Sequence, residues 1–445
     1  MALYALAGQK YRPVMFLLAG VFVVGWDSVF SLIPIVLSIV FGYLSALVSE
    51  KAPRKAAGAF LALTVLLNAA ALVFFSYSRY YDTDLSGRLT GHPLPFSDYH
   101  FIGAGIYTLH SISYSADIFM KKYEREKSFV KTACYIGFFP CLICGPVLRY
   151  DRIKEDLAHP VISYDRMADG IRALVYGFAQ KLIIASPLLT VWQRISAVKT
   201  ADLSFASCWF AAAAFSLAMY FDFKAYCDIA KGMGLMAGFS MPDNFSAPFS
   251  AGGFNELMKR FCSTLYEWAR DYIYRPLCPK NDKENIHLPA MLAASVFGVI
   301  WFGIGGRYFV WGLFFLLVLT FEYISRKLLT KVNHVLRSVF MNIIFLGGLP
   351  LAAFSAPADA LRFIAKMFSF SGLAGDVYAL YVVKNYFVLY FIAILFAFAP
   401  ARLVRTNFNR LNPNIVRIVQ PIVQTILLLL STAFLCAGQP EGFMF

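Results

Sequence analysis

Ionisable side chains collect in one stretch of a chain that is otherwise apolar, residues 220–312. Asp222, Lys224 and Asp228 lie close together there, and the four-residue spacing of the last two places both on one face of a helix. Charged groups at membrane depth are costly, so they usually face a cavity or pair with a partner. Two interpretations stay open, a functional site and a structural ion pair that holds neighbouring helices together.

The segment from residue 240 to residue 287 is too polar to cross a bilayer. We predict that it is re-entrant or lies along the membrane interface. Its charged residues are mixed with aromatic ones, as expected of an amphipathic helix at the level of the lipid headgroups. The residues that form this pattern are Glu256, Arg260, Trp268, Arg270, Asp271, Tyr272 and Tyr274.

The histidines and cysteines lack the spacing of a metal site. The eight cysteines lie mostly in apolar runs and have no histidine at metal-ligand spacing. Cys141 and Cys144 form a CxxC motif, but its apolar surroundings favour small core side chains. We therefore predict neither a metal site nor a bound cofactor.

The elements that must position these residues are membrane-spanning helices. The 445 residues are 59% hydrophobic and 17% aromatic but only 15% charged, whereas soluble proteins carry about 25% charged residues. Many apolar runs approach the ~20 residues that one helix needs to cross the hydrocarbon core. The clear runs are residues 29–48, 57–77, 129–147, 205–223, 309–324, 339–354, 382–398 and 418–436, and the weaker runs are residues 14–25, 101–118, 171–189 and 288–303.

We therefore predict an all-α polytopic membrane protein, a bundle of roughly ten to twelve transmembrane spans with re-entrant or interfacial helices. The whole chain, residues 1–445, is expected to form a single membrane domain. Lys and Arg concentrate in alternate loops, at residues 51–55, 121–131, 326–337 and 402–417. Because short cytoplasmic loops carry such an excess, we expect these loops in the cytosol and the C-terminus outside the plasma membrane.

The formal net charge of +14 follows from this arrangement and from attraction to anionic lipid headgroups. We do not expect nucleic-acid binding. A second interpretation is that the basic inner face receives an acidic cytosolic partner, either an acyl carrier protein or an anionic acyl-CoA.

Five sequence blocks, taken in order, resemble motifs of the membrane-bound O-acyltransferase (MBOAT) family. Residues 107–117 (YTLHSISYSAD) resemble YTFQSLSYxxD, and residues 139–150 (FPCLICGPVLRY) resemble FPQLVAGPIVRY. Residues 220–228 (YFDFKAYCD) and 238–245 (GFSMPDNF) resemble YFDFSGYSD and GFRLPENF. Residues 255–277 (NELMKRFCSTLYEWARDYIYRPL) resemble EFWRRWHISLSSWLRDYLYIPL.

The resemblance covers an MBOAT-like core at residues 100–312 and is strongest to the bacterial alginate O-acetyltransferase and lipoteichoic-acid D-alanyl-transfer branch. It implies a helical bundle with a tunnel, an acyl thioester donor from the cytosol and an acceptor hydroxyl on an extracytoplasmic glycan or glycolipid. An extracytoplasmic esterase-like partner would fit this scheme. The matching residues that either line the tunnel or hold the bundle are Arg149, Asp222, Asp228, Asn244, Arg260, Arg270, Asp271 and Trp301.

Two histidines matter most in the family, and both positions differ in this chain. The first falls on Cys262 and the second on Phe302. An imidazole, with a pKa of about 6.5, accepts and returns a proton at neutral pH, whereas Phe302 cannot carry one. Two tryptophans of the same signature are replaced by Met258 and Phe261, and a tunnel aromatic is replaced by Gly306.

Two side chains are candidates to replace the missing imidazoles. His110 is the histidine that falls within a matching block, and Cys262 could accept the acyl group if nearby Arg260 favours its thiolate. Alternatively, His110 is a satisfied core group and Cys262 a small apolar replacement. The chain is thus either an O-acyltransferase with non-standard catalytic residues or an inactive relative that binds an acyl donor or scaffolds a partner. The loss of both histidines favours non-catalytic or non-standard behaviour.

Overall fold

The computed structural model describes residues 4, 6–27, 29–81, 103–279, 287–303, 305–369, 376–398 and 413–438. Most of these residues are helical, and the described ranges contain no strand. A helix satisfies its backbone hydrogen bonds within one segment, as the hydrocarbon core requires. The all-α prediction is confirmed. The expected basic loop 402–412 and the stretch 280–286 lie outside the described residues.

The helices of the first half of the chain are α1 (Arg12–Asp27), α2 (Leu32–Lys51), α3 (Arg54–Tyr81), α4 (Ala104–Phe119), α5 (Phe129–Ile136), α6 (Tyr150–Ala158), α7 (Tyr164–Ala179), α8 (Ser186–Ser196) and α9 (Phe205–Met236). A π-helical segment, Gln180–Ala185, joins α7 to α8. Short 3-10 turns lie at Val29–Ser31, Phe139–Cys141 and Thr200–Asp202.

The helices of the second half are α10 (Phe254–Phe261), α11 (Ser263–Ala269), α12 (Arg275–Leu277), α13 (Leu288–Phe302), α14 (Gly306–Ile324), α15 (Arg326–Leu329), α16 (His334–Gly348), α17 (Pro350–Ala353), α18 (Pro357–Met367), α19 (Val377–Phe398) and α20 (Pro413–Ala437). A 3-10 turn, Pro248–Ser250, precedes α10, and a second π-helical segment, Arg270–Tyr274, joins α11 to α12.

Eight helical stretches in the described residues are long and apolar enough to cross a bilayer. They are Val29–Lys51, Arg54–Phe74, Tyr164–Ser196, Phe205–Met236, Gly306–Ile324, His334–Ala353, Val377–Phe398 and Ile418–Ala437. Three shorter apolar helices are Arg12–Trp26, Phe129–Cys141 and Leu288–Phe302. The chain is therefore a multi-span membrane protein.

The prediction of one clear span over residues 129–147 is wrong. Helix α5 ends at Ile136, and Gly137 and Pro140 interrupt the run before it reaches membrane-spanning length. Proline removes a backbone donor and glycine lowers helix propensity, so the apolar composition of this run did not make it a continuous helix.

Contacts divide the chain into two compact units. The first comprises Met1–Leu174, Cys227–Pro242 and Gly303–Gly305, and the second comprises Val175–Tyr226, Asp243–Phe302 and Gly306–Phe445. This division does not test whether the chain forms one membrane domain, so the single domain expected from the sequence stays a prediction.

In the first unit, helices α2, α3 and α4 pack against one another. Gly42 of α2 lies so close to its neighbours that a Cβ atom there would stand 2.7 Å from Ile136 Cδ1 and 2.8 Å from Ser111 Oγ. The Ser111 hydroxyl donates a hydrogen bond to the Ser38 carbonyl at 2.9 Å. Small residues and interhelical hydrogen bonds are the usual means of close helix packing in lipid.

In the second unit, α13 packs against α14 with a similar close approach. A Cβ atom at Gly312 of α14 would stand 2.5 Å from Val299 Cγ2 of α13. These two helices, together with α10 and α11, form most of the wall of an apolar cavity.

Candidate functional site

The cavity of the second unit has a volume of about 330 Å³. Its wall is formed by residues of α9, α10, α11, the Arg270–Tyr274 segment, α13, α14, α16 and α17. Most of the wall is apolar, and its polar members include Asn255, Cys262, Tyr266, Arg270, Tyr274 and Ser295. An apolar pocket with a few polar groups is the usual form of a small-molecule site.

Cys262 lies on the cavity wall at the break between α10 and α11, where an extended backbone (φ −145°, ψ 72°) ends one helix and begins the next. Asn244 stabilises this helix break by hydrogen bonding to the residues that follow it. Its Oδ1 accepts hydrogen bonds from the Thr264 N–H (3.0 Å) and the Thr264 hydroxyl (2.8 Å), and its carbonyl accepts one from the Ser263 N–H (3.0 Å). The Asn244 amide also donates to Cys262 Sγ at 3.5 Å. Asn244 therefore fixes both the helix break and the thiol.

Phe302, the last residue of α13, lies on the wall of the same cavity. Its ring centroid is 5.4 Å from that of Trp311, 6.1 Å from that of Phe223 and 5.1 Å from that of Trp301. The two positions at which the motif resemblance places the family histidines thus line one cavity. Neither carries an imidazole, and only Cys262 carries a nucleophile.

Arg260 does not belong to the cavity wall. Its guanidinium donates to the Glu256 carboxylate at 2.5 Å and to the Ser250 hydroxyl at 2.7 Å. Burial raises the pKa of Glu256, but the hydrogen bond from the Gly252 N–H and the Arg260 charge outweigh it, so the net pKa lies below the ordinary value. The pair therefore contributes stability at neutral pH that is lost as the pH falls through that lowered pKa.

Glu322 is a site-positioning residue that the sequence did not reveal. It comes from α14, and its Oε2 accepts hydrogen bonds from the Phe254 N–H (2.8 Å) and the Asn255 N–H (3.1 Å) at the first turn of α10. A carboxylate at a helix N-terminus satisfies unpaired donors and opposes the helix dipole. The sequence marked Glu322 only as a single carboxylate near the end of the apolar run 309–324, which does not reveal its contact with α10.

Arg270 lines the cavity, and Asp271 beside it is buried. Arg270 Nε is 2.9 Å from Asp271 Oδ1, and Arg275 Nη1 is also 2.9 Å from that oxygen. The hydrogen bond to Asp271 raises the pKa of Arg270. The two arginines compensate the buried carboxylate, as a buried charge requires. Arg270 and Asp271 lie in the π-helical segment Arg270–Tyr274, a distortion that is frequent at functional sites.

Asp222 is buried on α9 and forms an ion pair with Lys181, whose Nζ is 2.5 Å from Asp222 Oδ1. Lys181 also lies 5.3 Å from the centre of the Tyr226 ring. The ion pair that the sequence led us to consider, between Lys224 and Asp228 of the same helix, stays a prediction. The sequence did not reveal Lys181 as the partner of Asp222.

The remaining candidates lie in the first unit. The His110 ring is fully buried, with Nδ1 at 3.2 Å from the Ile136 carbonyl and Nε2 accepting from the Leu148 N–H at 3.0 Å. Both ring nitrogens thus contact the backbone, which favours the interpretation of His110 as a satisfied core group. Arg149 precedes α6, and Asp228 is half-buried on α9.

The described residues contain no group of three or more His, Cys, Asp or Glu side chains that could hold a metal ion. Cys141 and Cys144 are buried, and the Cys227 thiol donates to the Cys144 carbonyl at 3.1 Å.

Comparison with known proteins identifies the class of protein. Residues 108–348 match the model of the MBOAT, membrane-bound O-acyltransferase, family. The match covers more than half of the chain and, at its C-terminal end, extends beyond residue 312, where the core expected from the five motif blocks ends. The chain belongs to the MBOAT family.

Individual relatives come from the bacterial branch that the motifs resemble. The chain is 30% identical over 318 residues to the probable alginate O-acetylase of Pseudomonas aeruginosa, an alignment that covers 70% of this chain and 61% of that protein. It is 28% identical to the peptidoglycan O-acetyltransferase of Helicobacter pylori, over 70% of this chain and 64% of that protein. It is 24% identical to the teichoic acid D-alanyltransferase of Bacillus subtilis, over 52% and 61%. The chain thus spans less than two thirds of the length of these relatives.

Proposed function

We propose that the chain takes part in O-acylation of an extracytoplasmic glycan or glycolipid and binds the acyl group of a cytosolic thioester donor in the cavity lined by Cys262 and Phe302. The observation that carries this proposal is the presence of both family-histidine positions on one apolar cavity wall. The names of the relatives, which refer to alginate, peptidoglycan and teichoic acid, support an extracytoplasmic polymer as acceptor.

Transfer through this site would proceed by way of Cys262. Its sulfur bonds to the acyl carbonyl while the carbon–sulfur bond of the donor breaks, and the Cys262 proton goes to the departing donor thiolate. The acceptor hydroxyl then attacks the cysteine thioester, and its proton returns to Sγ. The hydrogen bond from Asn244 at 3.5 Å favours the thiolate that this route needs.

A second function is donor binding without transfer, as a scaffold or acyl-binding subunit. Phe302 favours it, because an aromatic hydrocarbon packed against Phe223 and Trp311 occupies the position of the imidazole that usually handles the proton.

The donor would be an acyl carrier protein or an acyl-CoA that meets the basic cytosolic loops. An esterase-like partner would act outside the cell. We place the protein in the plasma membrane as a multi-pass protein with the C-terminus outside, on the alternation of basic loops. The proposal includes no bound metal or cofactor and no nucleic acid.

A transfer assay with the full chain in lipid nanodiscs tests the proposal. Radiolabelled acyl-CoA and acyl carrier protein are offered with glycan and glycolipid acceptors to the wild type, to Cys262→Ala and to Cys278→Ala, whose thiol is outside the cavity wall. We expect labelled acceptor with the wild type and with Cys278→Ala, and at least a ~10²-fold loss with Cys262→Ala.

The possible results separate the two functions. Undiminished transfer by Cys262→Ala would overturn the cysteine route, while saturable donor binding without any transfer would support the second function. The absence of both binding and transfer would contradict the proposal as a whole.

A further inference from the structure

The cavity is large for the acyl groups named in its relatives. At about 330 Å³, it equals the volume of about eleven water molecules. If each heavy atom of an acyl group takes about the volume of one water molecule, an acetyl group fills about a quarter of this space. A chain of about eight to ten carbons fills it.

The wall suits a hydrocarbon chain rather than a polar group. Four of the positions where this sequence departs from the family signature lie on it. Met258 and Phe261 replace tryptophans, and Cys262 and Phe302 replace histidines. Methionine and phenylalanine are smaller than tryptophan, and phenylalanine lacks the polar atoms of imidazole. Met258 and Phe261 therefore add room to the wall, while Phe302, which is larger than the histidine it replaces, removes polarity.

Gly298 of α13 adds further open space. It lines the cavity, and a Cβ atom built on it would meet no other atom within 4 Å. Glycine lowers helix stability relative to alanine, so its position inside a helix is not favoured by helix propensity. Its lack of a side chain leaves the cavity wall open at this point.

From this geometry we infer that the cavity selects a medium-length fatty acyl chain, of about eight to ten carbons, over an acetyl group. The inference rests on the proposed function, because it specifies the donor that the same cavity binds. The carbonyl end of the chain reaches Cys262, and the methylene chain contacts Met258, Phe261 and Phe302. Each methylene that enters the cavity tightens binding about fourfold, until the cavity is full.

Protection of the Cys262 thiol from N-ethylmaleimide measures occupancy without requiring transfer. Cys278 and Cys436, the other cysteines that are not buried, are first replaced by serine in the full chain. The protein in nanodiscs is then titrated with hydrolysis-resistant 2-oxoalkyl-CoA analogues of acetyl, butyryl, octanoyl, decanoyl and palmitoyl length. We expect the half-protecting concentration to fall about fourfold per methylene and to level off at about ten carbons.

Variants of α13 locate the effect in the cavity. Gly298→Leu and Ala294→Leu add about four and about three side-chain carbons to the wall, so we expect the preferred chain to shorten by about the same number while acetyl-length protection persists. Val296→Phe is the matched control on the same helix, because Val296 is exposed and outside the wall. We expect its length profile to equal that of the parent.

Three other results of the protection experiment would contradict the inference or the proposed function. Equal protection by acetyl and decanoyl analogues would overturn the length selection and leave donor binding intact. Protection by free fatty acid or detergent equal to that by the CoA analogue would identify the occupant as a membrane lipid tail and overturn the inference. Absence of protection at every length would contradict the proposed function itself.

Discussion

The break between α10 and α11 depends on the side chain of one residue, Asn244. Its Oδ1 and its backbone carbonyl accept three hydrogen bonds from the two residues that follow Cys262, and its Nδ2 donates a fourth to Cys262 itself. Thr264 and Asn244 are buried, so water cannot replace these hydrogen bonds. The position of the thiol in the cavity therefore depends on the Asn244 carboxamide.

Replacing Asn244 by alanine should destabilise the protein by about 1–3 kcal/mol, because buried donors of Thr264 lose their acceptor. Asn244→Asp keeps the acceptor and should cost less. Thermal unfolding in detergent measures the change, with Asn385→Ala at an exposed position as control. Unfolding of Asn244→Ala at the wild-type temperature would show that the hydrogen bonds to the Asn244 side chain contribute nothing to stability.

The Lys181–Asp222 ion pair is a second test at the residue scale. Removal of one partner leaves a buried charge alone, so Lys181→Met and Asp222→Leu should each cost about 3–5 kcal/mol. The double variant should recover a large part of that loss, since it buries no uncompensated charge. A double-mutant cycle on the free energy of unfolding checks this, and additive losses would contradict the pairing.

Sequence reasoning reached some of these residues and not others. Cys262 and Phe302 were found because they fall at fixed distances from recognisable motifs such as Trp268 and Trp301. Lys181 was not assigned to Asp222, because the partners are separated by 41 residues and nothing in the sequence gives their distance. Glu322 was missed for the same reason.

At the scale of elements, α10 depends on α14 for its first turn. The helix has only eight residues, and Glu322 supplies the acceptor for two of its unpaired N–H groups. Short helices are marginal by themselves, so a cap from another element contributes a large part of their stability. The Glu322 carboxylate therefore caps the start of the helix whose last residue, Phe261, directly precedes Cys262.

Glu322→Ala should destabilise the start of α10 by about 0.5–2 kcal/mol, as the loss of an N-terminal capping group does. Hydrogen–deuterium exchange of the Phe254 and Asn255 amides is the measurement, and we expect faster exchange than in the wild type. Thr320→Ala, on the same helix as Glu322, serves as the control. Equal exchange in both variants would mean that the carboxylate does not cap α10.

The elements themselves were predictable to different degrees. Long apolar runs such as residues 205–223 and 382–398 did become helices, because length and composition decide whether a segment fits the hydrocarbon core. The run at 129–147 is also mainly apolar but breaks at Gly137 and Pro140. The mean hydropathy of a run depends little on two residues, so it could not predict that Gly137 and Pro140 end this helix.

At the scale of the whole molecule, the orientation in the membrane is open to direct measurement. Cys436, exposed near the end of α20, should react with a membrane-impermeant maleimide in intact cells. Cysteines introduced at Lys51 and Lys331 should react only after permeabilisation, because both belong to basic loops expected in the cytosol. Cys262 and Cys278 are replaced by serine to remove background. Labelling of Lys51→Cys and Lys331→Cys from opposite sides would contradict the proposed topology.

The central claim is that the cavity lined by Cys262 and Phe302 binds the acyl group of the donor. An acyl thioester with a photoreactive diazirine on its chain, cross-linked to the full protein in nanodiscs and mapped by mass spectrometry, tests it most directly. We expect the labelled peptides to come from α13 and α14, and excess unlabelled donor to suppress the labelling. Labelling confined to a separate apolar groove between α2 and α3, near Ile33 and Leu67, would contradict the claim.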